Sequence, residues 1–138
     1  MSLASGGRMA YFFYAYRVCN DPAKQLYSLV DTLCYDTCPG GQIKDLTNNI
    51  CLACHYSCQT CTGTSSTDCS ACDGGTNFRT LNSAAHTCPC QNGYVENNVA
   101  KCSLCSVFMQ NCATCSSQTV CTSCTSIAFV FNPTTGAC

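Results

Sequence analysis

The sequence predicts a small, disulfide-rich fold made mostly of β-hairpins and irregular loops, with little helix. Of the 138 residues, 18 are cysteine, none is tryptophan, and only 9% are charged. Cysteine at this density is typical of chains stabilised by disulfides instead of a large apolar core. The remaining apolar side chains are scattered singly along the chain. We therefore expect a series of small modules rather than one globular core.

Composition also bears on location and partners. An even number of cysteines can pair completely in an oxidising compartment, which favours an extracellular chain, secreted or part of a cell-surface protein. The net charge of -1 offers no basic surface for nucleic acid or for anionic lipid. No apolar run is long enough for a transmembrane helix or a lipid-anchor signal, so we expect no direct membrane insertion.

The first 18 residues contain an aromatic stretch and no cysteine. They match a secretory signal poorly, so we treat residues 1–18 as a lead segment, either a signal remnant or an expression scar. The cysteines that follow repeat with a period of about 52 residues, since Cys19, Cys72 and Cys124 are each followed by the same order of gaps. The predicted domains are repeat 1 over 19–71, repeat 2 over 72–123, and the start of a third repeat, one closed loop, over 124–138.

Each long gap between cysteines is predicted to form a β-hairpin. Segments such as "LYSLVDTLC" and "GYVENNVAKC" run from apolar residues through polar turn residues to a closing cysteine. Residues 22–33 also fit a helix, because Asp21 precedes Pro22 and leucines recur at helical spacing. A helix there would hold Cys19 and Cys34 about 20 Å apart, too far for a disulfide, so we expect a hairpin.

Two tight clusters follow the hairpins, "CHYSCQTCTGTSSTDC" and "CSVFMQNCATCSSQTVC", each with four cysteines and a central CxxC. Together with the preceding "CYDTCPGG", the first cluster resembles the furin-like repeats of the growth factor receptor cysteine-rich family, including His55, Pro39 and Gly63. Repeat 2 departs from that pattern with a CPC opening and six residues between Cys105 and Cys112. Similar CxxC-rich arrays occur in protist surface proteins.

The resemblance implies single-bridge loops alternating with interlaced clusters. It pairs Cys19 with Cys34, Cys38 with Cys51, Cys54 with Cys61, Cys58 with Cys69, Cys72 with Cys88, Cys90 with Cys102, Cys105 with Cys115, Cys112 with Cys121, and Cys124 with Cys138. Spacing alone does not fix this connectivity. Modules that touch only their neighbours predict an elongated ladder.

Zinc is the main alternative, because six CxxC pairs resemble half-sites for a structural ion. Only three residues separate Cys54 from Cys58, which is too few for two ordinary half-sites, and the hairpin cysteines would have no metal role. A redox-active CxxC lacks its usual context. We therefore expect no metal and no cofactor.

Catalysis has little support in the sequence. Neither His55 nor His86 lies near a nucleophile motif, and we expect His55 to pack or hydrogen-bond within the first cluster and His86 to be solvated. The carboxylates are spread singly, without calcium-loop spacing, and most are expected to serve turns. They are Asp21, Asp31, Asp36, Asp45, Asp68, Asp73 and Glu96. The chain is predicted not to be an enzyme.

Three functions remain as hypotheses. The first is a structural or adhesive module of a cell-surface or secreted protein, with neighbouring repeats of the same array as its partners. The second is a receptor-type module that binds a protein ligand through exposed side chains, with Tyr94, Phe108, Phe129 and Phe131 as candidates. The third is an intracellular zinc-binding CxxC protein.

Overall fold

The structure is a computed structural model that describes residues 19–138, so the predicted lead segment 1–18 lies outside the described residues. Spatial contacts divide the described chain into two compact units, residues 19–53 and residues 54–138. These units follow proximity in space, whereas the predicted repeats follow cysteine spacing.

The first unit is a four-stranded sheet of short strands. They are β1 (Leu26–Ser28), β2 (Cys34–Tyr35), β3 (Gln42–Asp45) and β4 (Ile50–Ala53), in the order β2-β1-β4-β3. Strands β1 and β2 form one antiparallel hairpin, and β3 and β4 form another. Strand β1 also runs parallel to β4, which joins the two hairpins and buries Leu26, Ser28 and Cys51.

Residues 22–33, which also fit a helix by sequence, belong to a hairpin, as predicted. Its strands bring Cys19 and Cys34 to a Cα separation of 5.8 Å, a distance a disulfide spans. The chain reverses at Thr32, whose φ of 64° is left-handed and ends any helical course. The requirement to close the loop therefore outweighs the helical spacing of the leucines.

The second unit contains three two-stranded antiparallel pairs and one short helix. The strands are β5 (Thr60–Cys61) with β6 (Cys69–Ala71), β7 (Tyr94–Val95) with β8 (Ser103–Leu104), and β9 (Cys112–Ser117) with β10 (Val120–Cys124). Helix α1 (Cys105–Phe108) occupies the longer gap that distinguishes the second cluster from the first. Three extra residues there allow one helical turn.

Sulfur dominates the two buried clusters of the second unit. One contains Cys58, Cys69 and Cys88, and the other contains Val95, Cys105, Cys112 and Cys121. Bridges thus occupy the volume that apolar side chains fill in an ordinary domain. The predicted fold class, disulfide-rich with short hairpins and little helix, is confirmed.

The opening loops of the three predicted repeats share one closing turn. The side-chain oxygen of Ser28, Asn82 or Asn132, six residues before the closing cysteine, accepts hydrogen bonds from the backbone N–H groups two and three residues later. The residue two before the closing cysteine is left-handed in all three loops. These residues are Thr32, His86 and Gly136.

Candidate functional site

Nine disulfides close all 18 cysteines of the chain, and none is free. The bridges join Cys19–Cys34, Cys38–Cys51, Cys54–Cys61, Cys58–Cys69, Cys72–Cys88, Cys90–Cys102, Cys105–Cys115, Cys112–Cys121 and Cys124–Cys138. These are the same pairs that the furin-like resemblance implies. In this oxidised form the cysteines offer no thiolate to zinc, and residues 19–138 contain no cluster of three metal-binding side chains.

Short antiparallel pairs position the interlaced bridges. Strands β5 and β6 place Cys61 opposite Cys69, so that the bridges from these residues to Cys54 and Cys58 lie side by side. Strands β9 and β10 do the same in the second cluster, where Cys115 lies opposite Cys121. In both clusters the CxxC spacing thus accommodates neighbouring bridges.

Arg79 is buried in the second unit, with only 2% of its surface exposed. Its Nη1 and Nη2 groups donate to the two carboxylate oxygens of Glu96, at 2.9 and 3.0 Å. The other donations go to the carbonyl oxygens of Cys88, Val99 and Ala100, at 2.7–2.9 Å. All five guanidinium N–H groups are thus paired, which offsets the cost of burying the charge.

This contact joins two single-bridge loops. Arg79 lies in the loop closed by Cys72 and Cys88, whereas Glu96 lies in the loop closed by Cys90 and Cys102. The hydrogen bonds from Arg79 hold the pKa of the Glu96 carboxyl below its usual range. We name the Arg79–Glu96 pair and its carbonyl acceptors the arginine clasp.

His55 hydrogen-bonds within the first cluster, as predicted. Its Nδ1 lies 2.8 Å from the Ser57 Oγ, and the Ser57 backbone N–H also points to Nδ1. The Ser57 hydroxyl is buried against the sulfurs of Cys58 and Cys69. His86 is exposed in its turn, also as predicted.

A surface groove of about 530 Å³ lies beside the β7–β8 hairpin. Its aromatic wall is a stacked pair, Phe78 and Tyr94, whose ring centroids are 4.2 Å apart with planes 11° from parallel. The apolar side chains of Val99, Leu104 and Val107 line the rest, and Val107 is 70% exposed. We name this feature the Phe78 groove.

Polar groups border the Phe78 groove. The Lys101 Nζ lies 5.5 Å from the centroid of the Phe78 ring. Lys101 forms no salt bridge within residues 19–138. The Asn97 amide donates to the Ser103 Oγ at 2.8 Å. Its Oδ1 is buried and accepts no hydrogen bond in the described part of the chain.

The four recognition residues predicted from sequence do not all belong to the groove. Tyr94 lines it, whereas Phe108, Phe129 and Phe131 are exposed but do not. Sequence reasoning missed Phe78 and Arg79 because neither has periodic spacing. The one signal available was a single loop, "NFRTLN", that places an aromatic residue and a cation between cysteines.

Two curated proteins are similar to this chain in sequence. The chain is 35% identical over 89 residues to Cysteine repeat modular protein 2 of Tetrahymena thermophila, a match covering 59% of this chain and 4% of that protein. It is 33% identical over 66 residues to Variant-specific surface protein VSP4A1 of Giardia intestinalis, covering 48% and 10%. The chain is similar to cysteine-rich protist surface proteins.

The matched region is a small part of each relative, since the chain spans 10% or less of their lengths. No protein-family model matches the chain, and no solved structure matches it. None of the helices within residues 19–138 is long and apolar enough to cross a membrane. The likeness to furin-like repeats therefore stays a resemblance.

Proposed function

We propose that this chain is a non-catalytic structural or adhesive module of an extracellular, cell-surface or secreted cysteine-rich protein. The observation that carries the proposal is the pairing of all 18 cysteines into nine disulfides within repeated loops. Such bridges persist in oxidising compartments and are rare in the cytosol. The two protist relatives, one named a cysteine repeat protein and one a surface protein, support the same location.

The mass of the native protein measured without reductant tests this proposal against the zinc alternative. Nine bridges lower the intact mass by about 18 Da relative to the fully reduced chain. Proteolysis without reduction, followed by peptide mapping, then checks each pair. Free thiols that become reactive only after metal chelation would overturn the extracellular proposal.

A receptor-type ligand-binding module is the second candidate, and the Phe78 groove favours it. The groove combines stacked aromatic rings and exposed aliphatic side chains with a cation at its edge. Contiguous exposed apolar surface of this kind often marks a binding site. Charge complementarity indicates an apolar partner segment that carries a carboxylate, which Lys101 would meet.

The probe 8-anilinonaphthalene-1-sulfonate tests the groove, because it is an apolar aromatic anion. We expect its affinity to fall several-fold in Lys101→Glu and in Val107→Asp. Lys44→Glu and Leu46→Asp are matched controls, since both residues are exposed in the first unit. Equal losses in variants and controls would contradict a binding role for the groove.

A further inference from the structure

The shared closing turn aligns the three opening loops residue by residue. Ser28, Asn82 and Asn132 correspond, so Leu26 and Thr80 correspond to Val130, and Arg79 corresponds to Phe129. The alignment extends to the preceding clusters of the second unit. The Cys69 N–H donates to the His86 carbonyl at 2.8 Å, and the Cys121 N–H donates to the Gly136 carbonyl at 2.9 Å.

In both complete repeats, the second loop covers the residues just before this turn. In the first unit, β4 pairs with Tyr27 and Ser28 of β1, next to Leu26, which is only 5% exposed. In the second unit, the Thr80 N–H donates to the Pro89 carbonyl at 3.0 Å, and the Gln91 N–H donates to the Phe78 carbonyl at 2.8 Å. These bonds and the arginine clasp bury Arg79.

The corresponding segment of the third loop, residues 128–130, is uncovered. Val130 is 83% exposed and Phe129 is 41% exposed. Within residues 19–138, the Val130 N–H and the Ala128 carbonyl have no backbone partner, although their counterparts at Thr80 and Phe78 are both paired. An apolar segment with an unpaired backbone edge is a template for strand pairing.

We propose that residues 128–130 are a docking edge for the second loop of a further cysteine-rich module, joined after Cys138 as the loop beginning at Pro89 is joined to Cys88. The docked loop pairs with the Val130 N–H and the Ala128 carbonyl and covers Phe129. This inference rests on the proposed function, because it requires an array of modules. The covered edge of repeat 2 is its precedent, because it forms these two backbone bonds at Thr80 and Phe78.

The edge also selects which loop fits. In the second unit the covering loop carries Glu96, whose charge is compensated by Arg79. Phe129 has no donor to offer at that position, so a carboxylate packed against it would lose hydration without compensation. The loop that fits the third repeat therefore carries an apolar residue where repeat 2 has Glu96.

An extended chain tests both the docking edge and its preference for an apolar residue in place of Glu96. A copy of residues 89–102 is added after Cys138 of the full chain, once unchanged and once with Glu96→Leu in the copy. Hydrogen exchange of the Val130 amide is followed by NMR. We expect the Val130 amide to exchange at least about tenfold more slowly with the leucine copy than in the unextended chain, because the Val130 N–H becomes paired. The unchanged copy should protect less.

The variant Phe129→Arg tests the selectivity from the other side, because it places an arginine opposite the added loop as in repeat 2. With arginine at position 129, the unchanged copy should protect the Val130 amide better than the leucine copy does, because the ion pair of repeat 2 is recreated. If the order of protection does not reverse, the selectivity statement is wrong. If neither copy slows exchange although a tenth bridge has formed, the docking edge itself is wrong.

Measurement of the intact mass distinguishes failure of the docking edge from failure of the proposed function. Formation of the tenth bridge lowers the mass by about 2 Da. If it does not form, the leucine copy is added as a separately oxidised peptide, and an unchanged Val130 amide resonance at millimolar peptide would overturn the docking edge. Free thiols in the unextended chain would instead overturn the disulfide module.

Discussion

Arg79 takes the place of an apolar core residue in the second unit. Four of its five donated hydrogen bonds reach the loop closed by Cys90 and Cys102, and the fifth returns to Cys88 of its own loop. The two loops also share an isolated β-bridge, between Arg79 and Cys90. A buried cation is tolerated only where every donor is paired, so its partners matter as much as the arginine.

Glu96→Gln should therefore destabilise the second unit. The amide keeps the size of the carboxylate but leaves the Arg79 charge uncompensated, and the loss is about 1–2 kcal/mol because Glu96 is partly exposed and screened. Urea unfolding followed by amide exchange checks it. Asp36→Asn is the control, since Asp36 is exposed and forms no salt bridge within residues 19–138. An equal loss there would argue against the clasp.

The arginine clasp also predicts an acid-sensitive step. The pKa of Glu96 is lowered in the folded chain, so its contribution to stability is fully present above the ordinary carboxyl pKa and is lost as the pH falls through the lowered value. A hydrogen bond from the Tyr35 hydroxyl lowers the pKa of Asp31, and one from the Asn48 amide lowers the pKa of Asp45. The difference in unfolding free energy between wild type and Glu96→Gln should therefore shrink below about pH 4. A constant difference would contradict it.

The turn residue Asn82 gives a milder prediction. Asn82→Ala removes the acceptor for two backbone N–H groups and should cost about 1 kcal/mol, whereas Asn82→Ser should cost less, because Ser28 performs this role in the first loop. Thermal unfolding ranks the two variants. Equal losses would show that the side-chain oxygen is not the stabilising group.

Individual hairpins depend on their closing bridges. Replacing both Cys90 and Cys102 by serine opens a loop with a sequence separation of 12 and should cost about 3 kcal/mol. Amide exchange should show loss of the β7–β8 pair and of the Phe78 groove, while β1 to β4 in the first unit stay protected. Simultaneous loss of both units would contradict the local role of this bridge.

How far the sequence predicts these elements depends on whether a local signal exists. The two hairpins of the first unit were predictable because polar turn residues precede each closing cysteine, and the bridge requirement decided against a helix over 22–33. In the loops closed by Cys88 and Cys138 the predicted hairpin is reduced to a single isolated bridge, Asn82–Thr87 or Asn132–Ala137. Helix α1 was not predicted, since three extra residues between Cys105 and Cys112 signal only a longer loop. The arginine clasp was also missed, because Arg79 and Glu96 are 17 residues apart and meet only through the fold.

At the scale of the whole molecule, stability should be distributed over the loops. Each bridge constrains its own short segment, so full reduction removes every constraint and the chain should unfold, whereas loss of one bridge affects one module. The elongated ladder expected from the repeats is a further prediction. Small-angle scattering should give a radius of gyration well above the roughly 14 Å of a compact domain of this length; agreement with that value would refute the ladder.

The shared closing turn has a consequence for recognising distant relatives. It combines a serine or asparagine six residues before a cysteine with a residue in the left-handed region four residues later, and it leaves the intervening side chains free. Such loops can diverge beyond detection by ordinary identity while keeping one backbone. A search keyed to this spacing should recover homologues that residue-by-residue alignment overlooks.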